Sequence, residues 1–273
     1  MTVNPYFFEG SSGRLFVLER QPDQPTCVVI FVQPFAEEMN KSRHMLTQAS
    51  LALVNQGAMT VCFDHYATGD SEGAGIDASW TTWRKDLTDL SSSLSARFSL
   101  PQYWVCLRTG ALIAFSALSG MPAEVDIRLV LWNPVVNGKQ YINQFFRLRL
   151  AGDMLVSGGK KVTTADIRDE LEQGSTEIAG YRLSSSWVEE AESSGLDAAC
   201  LAGLSGRKVA WIETSPKEAP SLLPVSTQVI NTLQSAGCHV NGWPVSGDQF
   251  WATQEITLAP DLISATCKWV AQN

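Results

Sequence analysis

Across 273 residues the chain carries 20 Lys and Arg against 28 Asp and Glu, a formal charge of −8. That balance argues against a nucleic-acid or anionic-membrane surface, since phosphate binding is driven by clustered Lys and Arg. Hydrophobic residues make up 45% and charged residues only 18%, against about 25% charged in an average domain, so intrinsic disorder is excluded and a well-buried globular core is expected.

The stretch from Met1 to Gly13 has no basic region followed by an apolar one, and no apolar run reaches the roughly 18–20 residues that cross a bilayer. A soluble, unsecreted, cytoplasmic protein without a transmembrane segment is expected. The six cysteines, Cys27, Cys62, Cys106, Cys200, Cys238 and Cys267, are scattered, with no CxxC pair and no His-rich spacing. They read as small buried hydrophobes in a reducing compartment, and neither a metal nor a cofactor is implied.

Arg14–Glu19 alternates apolar and polar residues and predicts an antiparallel edge strand. Continuous apolar runs then predict buried strands at Cys27–Val32, Met59–Phe63, Tyr103–Leu107, Ile127–Trp132, Lys208–Ile212 and Cys238–Trp243. Helical patterns fall between and after them at Asn40–Gln56, Trp80–Phe98, Gly110–Leu118, Pro224–Ala236 and Pro260–Ala271. Such alternation is the mark of a mostly parallel sheet covered on both faces, a doubly wound α/β fold. One stretch departs from it. From Asn137 to Gly206 there is no strand run, only helical fragments at Ile142–Ala151, Thr164–Glu172 and Ser186–Ser193, with glycine joints such as Ser157-Gly158-Gly159 that permit hinging. A core of residues 1–136 and 206–273 is therefore expected, with a helical cap, residues 137–205, inserted after the Ile127 strand.

In an open α/β sheet, ligands bind beyond the carboxyl ends of the strands. The first such loop, Gln33 to Lys41, is an acidic, proline-bent turn containing Phe35, Glu37, Glu38 and Asn40. Glu38 and Asn40 could serve only as dipole complement and cap of the following helix. The second, Asp64 to Gly73, holds His65 and a Gly69-Asp70-Ser71-x-Gly73 run that resembles the equivalent loop of α/β-hydrolases.

Trp104 to Ala114 reads as strand, sharp turn and small-residue helix, the setting of a G-x-S-x-G nucleophile elbow. Here Cys106 replaces the first glycine, Arg108 the serine, and Gly110 holds the last glycine. A protonated guanidinium cannot attack a carbonyl. The acid position falls at Glu213, with Glu218 as an alternative. The last loop, Ser246 to Trp251, contains Asp248 but no histidine. His239 lies inside a strand and His44 inside a helix, so a Ser–His–acid relay cannot be assembled.

Four segments together resemble the exosortase A system-associated hydrolase 2 proteins, a branch of the α/β-hydrolases encoded beside bacterial exopolysaccharide and protein-sorting systems. These are Pro34 to Ser42, Leu107 to Leu112, Leu131 to Lys139 continuing through Phe146 to Leu150, and Phe250 to Ile256. Ala67-Thr68-Gly69 departs from the resemblance, since relatives more often begin that loop Gly-x-Gly. The likeness implies an α/β-hydrolase fold, an inherited arginine at the elbow and partners within an exosortase or exopolysaccharide system.

Arg108 at a helix start opposes the dipole and calls for a carboxylate among Glu37, Glu38, Glu213 and Asp248. Three outcomes stay open. Free guanidinium donors, with Thr109 and the helix amides, would bind an anionic or a glycan- or lipid-linked ligand. A fully paired Arg108 would leave a scaffold or interaction protein. A displaced nucleophile, Cys106 or Thr109, or a Glu37–Glu38 pair activating water, would keep a hydrolase. Among the tryptophans, Trp251 is the one expected to face a ligand.

Overall fold

The chain is described from a computed structural model, which covers residues 1–122, 125–155 and 162–273. The glycine joint expected at Ser157-Gly158-Gly159 lies outside the described residues.

The apolar runs form the strands they predict. β3 (Cys27–Val32), β4 (Ala58–Phe63), β5 (Gln102–Leu107) and β6 (Ile127–Trp132) are almost wholly buried. Their side chains alternate between two packed layers. Val28, Ile30, Val32, Trp104, Cys106, Leu129 and Leu131 face one, while Val29, Phe31, Tyr103, Val105, Leu107, Val130 and Trp132 face the other. A strand with core on both sides has no polar face to spare, which is why the pattern reads as unbroken apolar sequence.

With β1 (Thr2–Glu9), β2 (Arg14–Gln21), β9 (Lys208–Ser215) and β10 (His239–Ser246), the sheet runs β1-β2-β4-β3-β5-β6-β9-β10. β1, β2 and β4 pair antiparallel and the rest parallel. Helices α1 (Ala36–Val54) and α9 (Pro260–Gln272) cover one face; α2 (Trp80–Phe98), α3 (Gly110–Leu118) and α8 (Pro224–Ser235) cover the other. The expected doubly wound architecture is thus present.

Three local expectations are corrected. The Arg14 segment is not an edge strand, because β1 pairs with it along its full length and takes the edge. Helix α1 begins at Ala36 rather than Asn40, so Glu37 and Glu38 lie in its first turn, against the positive end of its dipole. The stretch between β6 and β9 is not purely helical. After α4 (Gly138–Leu155) and α5 (Thr164–Glu172) it forms a hairpin of β7 (Ser175–Ile178) and β8 (Tyr181–Ser184), followed by α6 (Ser185–Ser193) and α7 (Ala198–Leu204). Ala179 and Gly180, with φ of 51° and 83°, turn that hairpin, the both-positive geometry of a two-residue turn.

The segment between β6 and β9 packs into the same buried layer as the sheet and is also hydrogen-bonded to α1 and α2. Tyr181 donates to Glu37 Oε1 (2.9 Å) and accepts from Asn40 Nδ2 (2.8 Å). Glu190 accepts from Ser79 Oγ (3.0 Å) and Thr81 N (3.0 Å) at the start of α2. Between these latches Phe35 sits within an aromatic cluster, 4.6 Å from Trp187, 5.7 Å from Trp83 and 5.8 Å from Phe145, centroid to centroid.

Candidate active site

Arg108 occupies the corner between β5 and α3 with φ of +52°, a conformation that L residues adopt rarely. The strain is held from both sides: Arg108 N donates to Trp132 O (3.1 Å), and its carbonyl accepts from Ala111 N (3.2 Å) and Val135 N (3.0 Å). Gly110 makes the corner possible, since a Cβ there would lie 2.2 Å from the Val32 carbonyl oxygen. The elbow therefore has its expected strand–turn–helix geometry, with arginine where the nucleophile stands in the motif.

The guanidinium is held on three sides. Nε donates to Glu38 Oε1 (3.1 Å), Nη1 donates to Asn133 O (3.1 Å), and the group lies over the Trp251 ring, 5.3 Å from its centroid. Asn133, just beyond β6, is itself at φ +43°, and its Oδ1 accepts from Thr214 N (3.0 Å). Nη2 makes no hydrogen bond among the described residues, and Arg108 lines a cavity of about 390 Å³. The carboxylate partner among the four candidates is Glu38. Burial pushes its carboxyl up from the ordinary value, while the charge and hydrogen bond of Arg108 pull it down. Its second oxygen, Oε2, is buried with no hydrogen-bond partner among the described residues.

The remaining candidates divide. Thr109 is fully buried, and its Oγ1 accepts from Phe35 N (3.2 Å). That amide lies on the loop that supplies one oxyanion donor in this architecture, and Thr109 occupies it; nothing in the motif spacing signals this contact. Glu213 lies within β9, two residues before the strand ends at Ser215 rather than in the loop after it, and is 6% exposed. It does not pair with Arg108. Its Oε1 accepts from Trp211 Nε1 (2.9 Å) and Ser226 Oγ, and its Oε2 from Leu223 N (3.1 Å), so it anchors the start of α8 beside the cavity. Glu37 and Asn40 are exposed and serve the Tyr181 latch, and Phe35 is packed under the insertion. Asp248 is exposed and makes no ion pair among the described residues; Gln249 and Trp251 of that loop line the cavity. Tyr141, Gln140 and Gln144 of α4 complete the wall, residues that sequence reasoning did not select because they belong to the insertion. A wider groove of about 720 Å³ lies between β10 and α9, away from the elbow.

The three histidines stand apart from Arg108. His44 is exposed on α1. His239 opens β10 opposite Lys208, at the amino end of the sheet, more than about 15 Å along the strands from Glu213 at 3.3 Å per residue. His65 is buried, stacks on Trp83 (5.1 Å) and has Nε2 3.2 Å from Gln33 O. Burial lowers its imidazole to about 4, which keeps it neutral at physiological pH. The six cysteines are unpaired, five of them buried. Cys106 is 0% exposed, with burial raising its thiol well above the usual range, so it is poorly placed to act as a nucleophile. Among the described residues no cluster of His, Cys, Asp and Glu could hold a metal ion, and no helix is long and apolar enough to cross a membrane.

The sheet order, the strained elbow and the cavity beyond the strand ends define the α/β-hydrolase fold. The chain belongs to the family described as "Serine aminopeptidase, S33", whose model matches residues 23–183. Among solved structures it is similar to the Butyrivibrio proteoclasticus esterase Est1E with bound ferulic acid, at 14% identity and TM-score 0.68 over 98% of both chains. It is also similar to a thermostable carboxyl esterase from Bacillus coagulans in complex with glycerol, at 14% identity and TM-score 0.65 over 100% of this chain and 99% of that one. A lipase in open form matches at 15% identity and TM-score 0.69 over 99% of both chains. No protein of curated function matches the chain.

The Arg108–Glu38 pair sets a pH-dependent expectation. Breaking a buried pair by removing one partner costs about 3–5 kcal/mol, and with both side chains still about one-fifth exposed, Arg108→Met should cost about 2–3 kcal/mol at neutral pH. Because the folded chain raises the Glu38 carboxyl, it binds that proton more tightly than the unfolded chain. The stability that Glu38 contributes in its protonated form is therefore full below the unfolded carboxylate range and is lost as pH rises through its raised folded value. Removing Arg108 removes the lowering influence, so the loss of Tm should be larger at pH 8 than at pH 5. Equal losses at both pH values would contradict the pairing.

Proposed function

We propose that this chain is a ligand-binding member of the α/β-hydrolases, of the exosortase A system-associated branch, in which serine hydrolysis has been replaced by recognition. The supporting observation is the arginine at the elbow, fixed by Glu38, the Asn133 carbonyl and Trp251, with no imidazole hydrogen-bonded to it. The Thr109 hydroxyl on the Phe35 amide supports the same reading, since that amide is already satisfied before any oxyanion could form. On this reading Nη2 of Arg108, the side-chain amides of Gln140 and Gln144 on α4, and Trp251 receive an anionic or a glycan- or lipid-linked small molecule. The partners are components of an exosortase or exopolysaccharide system, and the protein acts in the cytoplasm. Residues 137–205 form the cap over a core of residues 1–136 and 206–273.

A scaffold role is the second reading, favoured by the guanidinium being held on three sides. Arg108→Ala lowers Tm on both readings, and they differ in binding: ligand affinity is also lost if the site binds, whereas no ligand affinity depends on Arg108 if the network is only structural. The proposal also predicts that p-nitrophenyl acetate and butyrate are hydrolysed no faster than by a denatured control. Saturable turnover by the folded protein, lost in Arg108→Ala, would overturn it.

A further inference from the structure

The binding reading leaves the ligand's charge open, and the wall of the cavity bears on it. Arg108 brings the one positive charge of the lining, already engaged by Glu38, which is not itself a lining residue, and Glu213 brings the one carboxylate. One carboxylate against one guanidinium leaves the lining without net charge, on a chain whose overall charge is −8. An incoming anion would meet no surplus of positive charge there, and the single guanidinium is already paired. What the wall offers instead is neutral hydrogen bonding. The side-chain amides of Gln140, Gln144 and Gln249 make no hydrogen bond among the described residues, and each supplies both donors and an acceptor.

The mouth of the cavity is different in kind. Leu223 and Val225, at the start of α8, are each 63% exposed and line the same cavity. They are held there by a buried carboxylate, since Glu213 takes the Leu223 amide and the Ser226 hydroxyl. Large aliphatic side chains kept in water at the rim of a polar pocket have an obvious use when the ligand has an apolar part.

Resting on the binding reading, we infer that the cavity takes a single-chain amphiphile with an uncharged, hydroxyl-rich head. The head lies against Arg108 Nη2 and the glutamine amides, and the aliphatic chain leaves across Leu223 and Val225. The volume of about 390 Å³ is in the range of small-molecule sites and suits a compact head with its first few methylenes.

The test uses three probes below their micelle concentrations: n-octyl β-D-glucoside, sodium octyl sulfate and methyl β-D-glucoside, measured by equilibrium dialysis with the full chain. Octyl glucoside is expected to bind at least tenfold more tightly than octyl sulfate at low salt, with little dependence on salt concentration. It should also exceed methyl glucoside by at least tenfold, because each methylene against the lip is worth about fourfold. The double variant Leu223→Ser/Val225→Ser, altered only at exposed positions, should remove most of the chain's advantage without lowering Tm. Octyl sulfate binding as tightly as octyl glucoside, or unchanged octyl glucoside binding in the lip variant, would overturn this inference and leave the binding reading standing. Failure of all three probes to bind would overturn both.

Discussion

Gly110→Ala is expected to destabilise the protein by at least about 3 kcal/mol, above the usual range for overpacking. The reason is local and geometric. An added Cβ would lie 2.2 Å from the Val32 carbonyl oxygen, 2.9 Å from its carbon and 3.2 Å from the Gln33 carbonyl oxygen. All three atoms are backbone at the end of β3, in the middle of the sheet, so none can swing aside as a flexible side chain would. Relief requires moving α3 off the sheet or opening the elbow, and both disturb the layer that contains Trp104, Cys106 and Leu112. At about 2–4 °C per kcal/mol for a chain of this size, thermal unfolding should shift down by at least about 6 °C. Gly75→Ala, where an added Cβ meets nothing within 4 Å, is the matched control and should change stability by no more than about 0.5 kcal/mol. Similar losses in both variants would show that the elbow is not the constrained point described above.

Trp187→Ala is the second large effect, at about 3–5 kcal/mol, the usual cost of truncating a buried tryptophan. Trp187 is 1% exposed and carries the contact between α6 and the core, with Phe35, Trp80 and Trp83 within 6.0 Å of its ring. Its indole Nε1 is buried with no hydrogen-bond partner among the described residues, so the residue stabilises through ring area rather than through a hydrogen bond. Trp187→Phe keeps an aromatic ring and deletes the orphan donor. It should therefore recover more than half of the loss, since an unsatisfied buried donor costs about 1–3 kcal/mol by itself. Hydrogen exchange should rise first in α6 and in the β7–β8 hairpin, where the insertion meets the core. Uniform loss of protection across β3, β5 and β6 instead would mean that the insertion is not a separately fastened layer.

The central strands were legible because burial on both faces leaves a continuous apolar run, and CVVIFV, YWVCL and IRLVLW have no other reading. β1 was not, because TVNPYFFE carries Asn4 and Pro5 and leaves Val3 and Phe7 half-exposed at the sheet edge. The β7–β8 hairpin escaped notice because its strands are four residues each and its turn is Ala179-Gly180, without the Asn-Gly or Asp-Gly signal. At the site, the elbow was readable from Leu107-Arg108-Thr109-Gly110, since only that pattern joins a buried strand to a small-residue helix. Its partners were less so. Glu37 and Glu38 stood first, with Glu213 and Asp248 as further candidates, and choosing Glu38 required knowing that α1 starts at Ala36. Glu213 was legible as the residue at the acid position but not as the anchor of α8, a role that depends on Leu223 and Ser226, ten and thirteen residues later. Tyr141, Gln140 and Gln144 come from the insertion, whose placement over the sheet follows from tertiary contacts rather than from any periodicity.

Membership of a hydrolase family fixes the scaffold, and the chemistry is decided by what stands at its corner. The most direct test treats the folded protein with a fluorophosphonate, which labels an activated serine irrespective of substrate, and reads the intact mass. The account predicts no adduct under conditions that fully label an active serine esterase. A one-to-one adduct on any serine, abolished by prior heat denaturation, would contradict it.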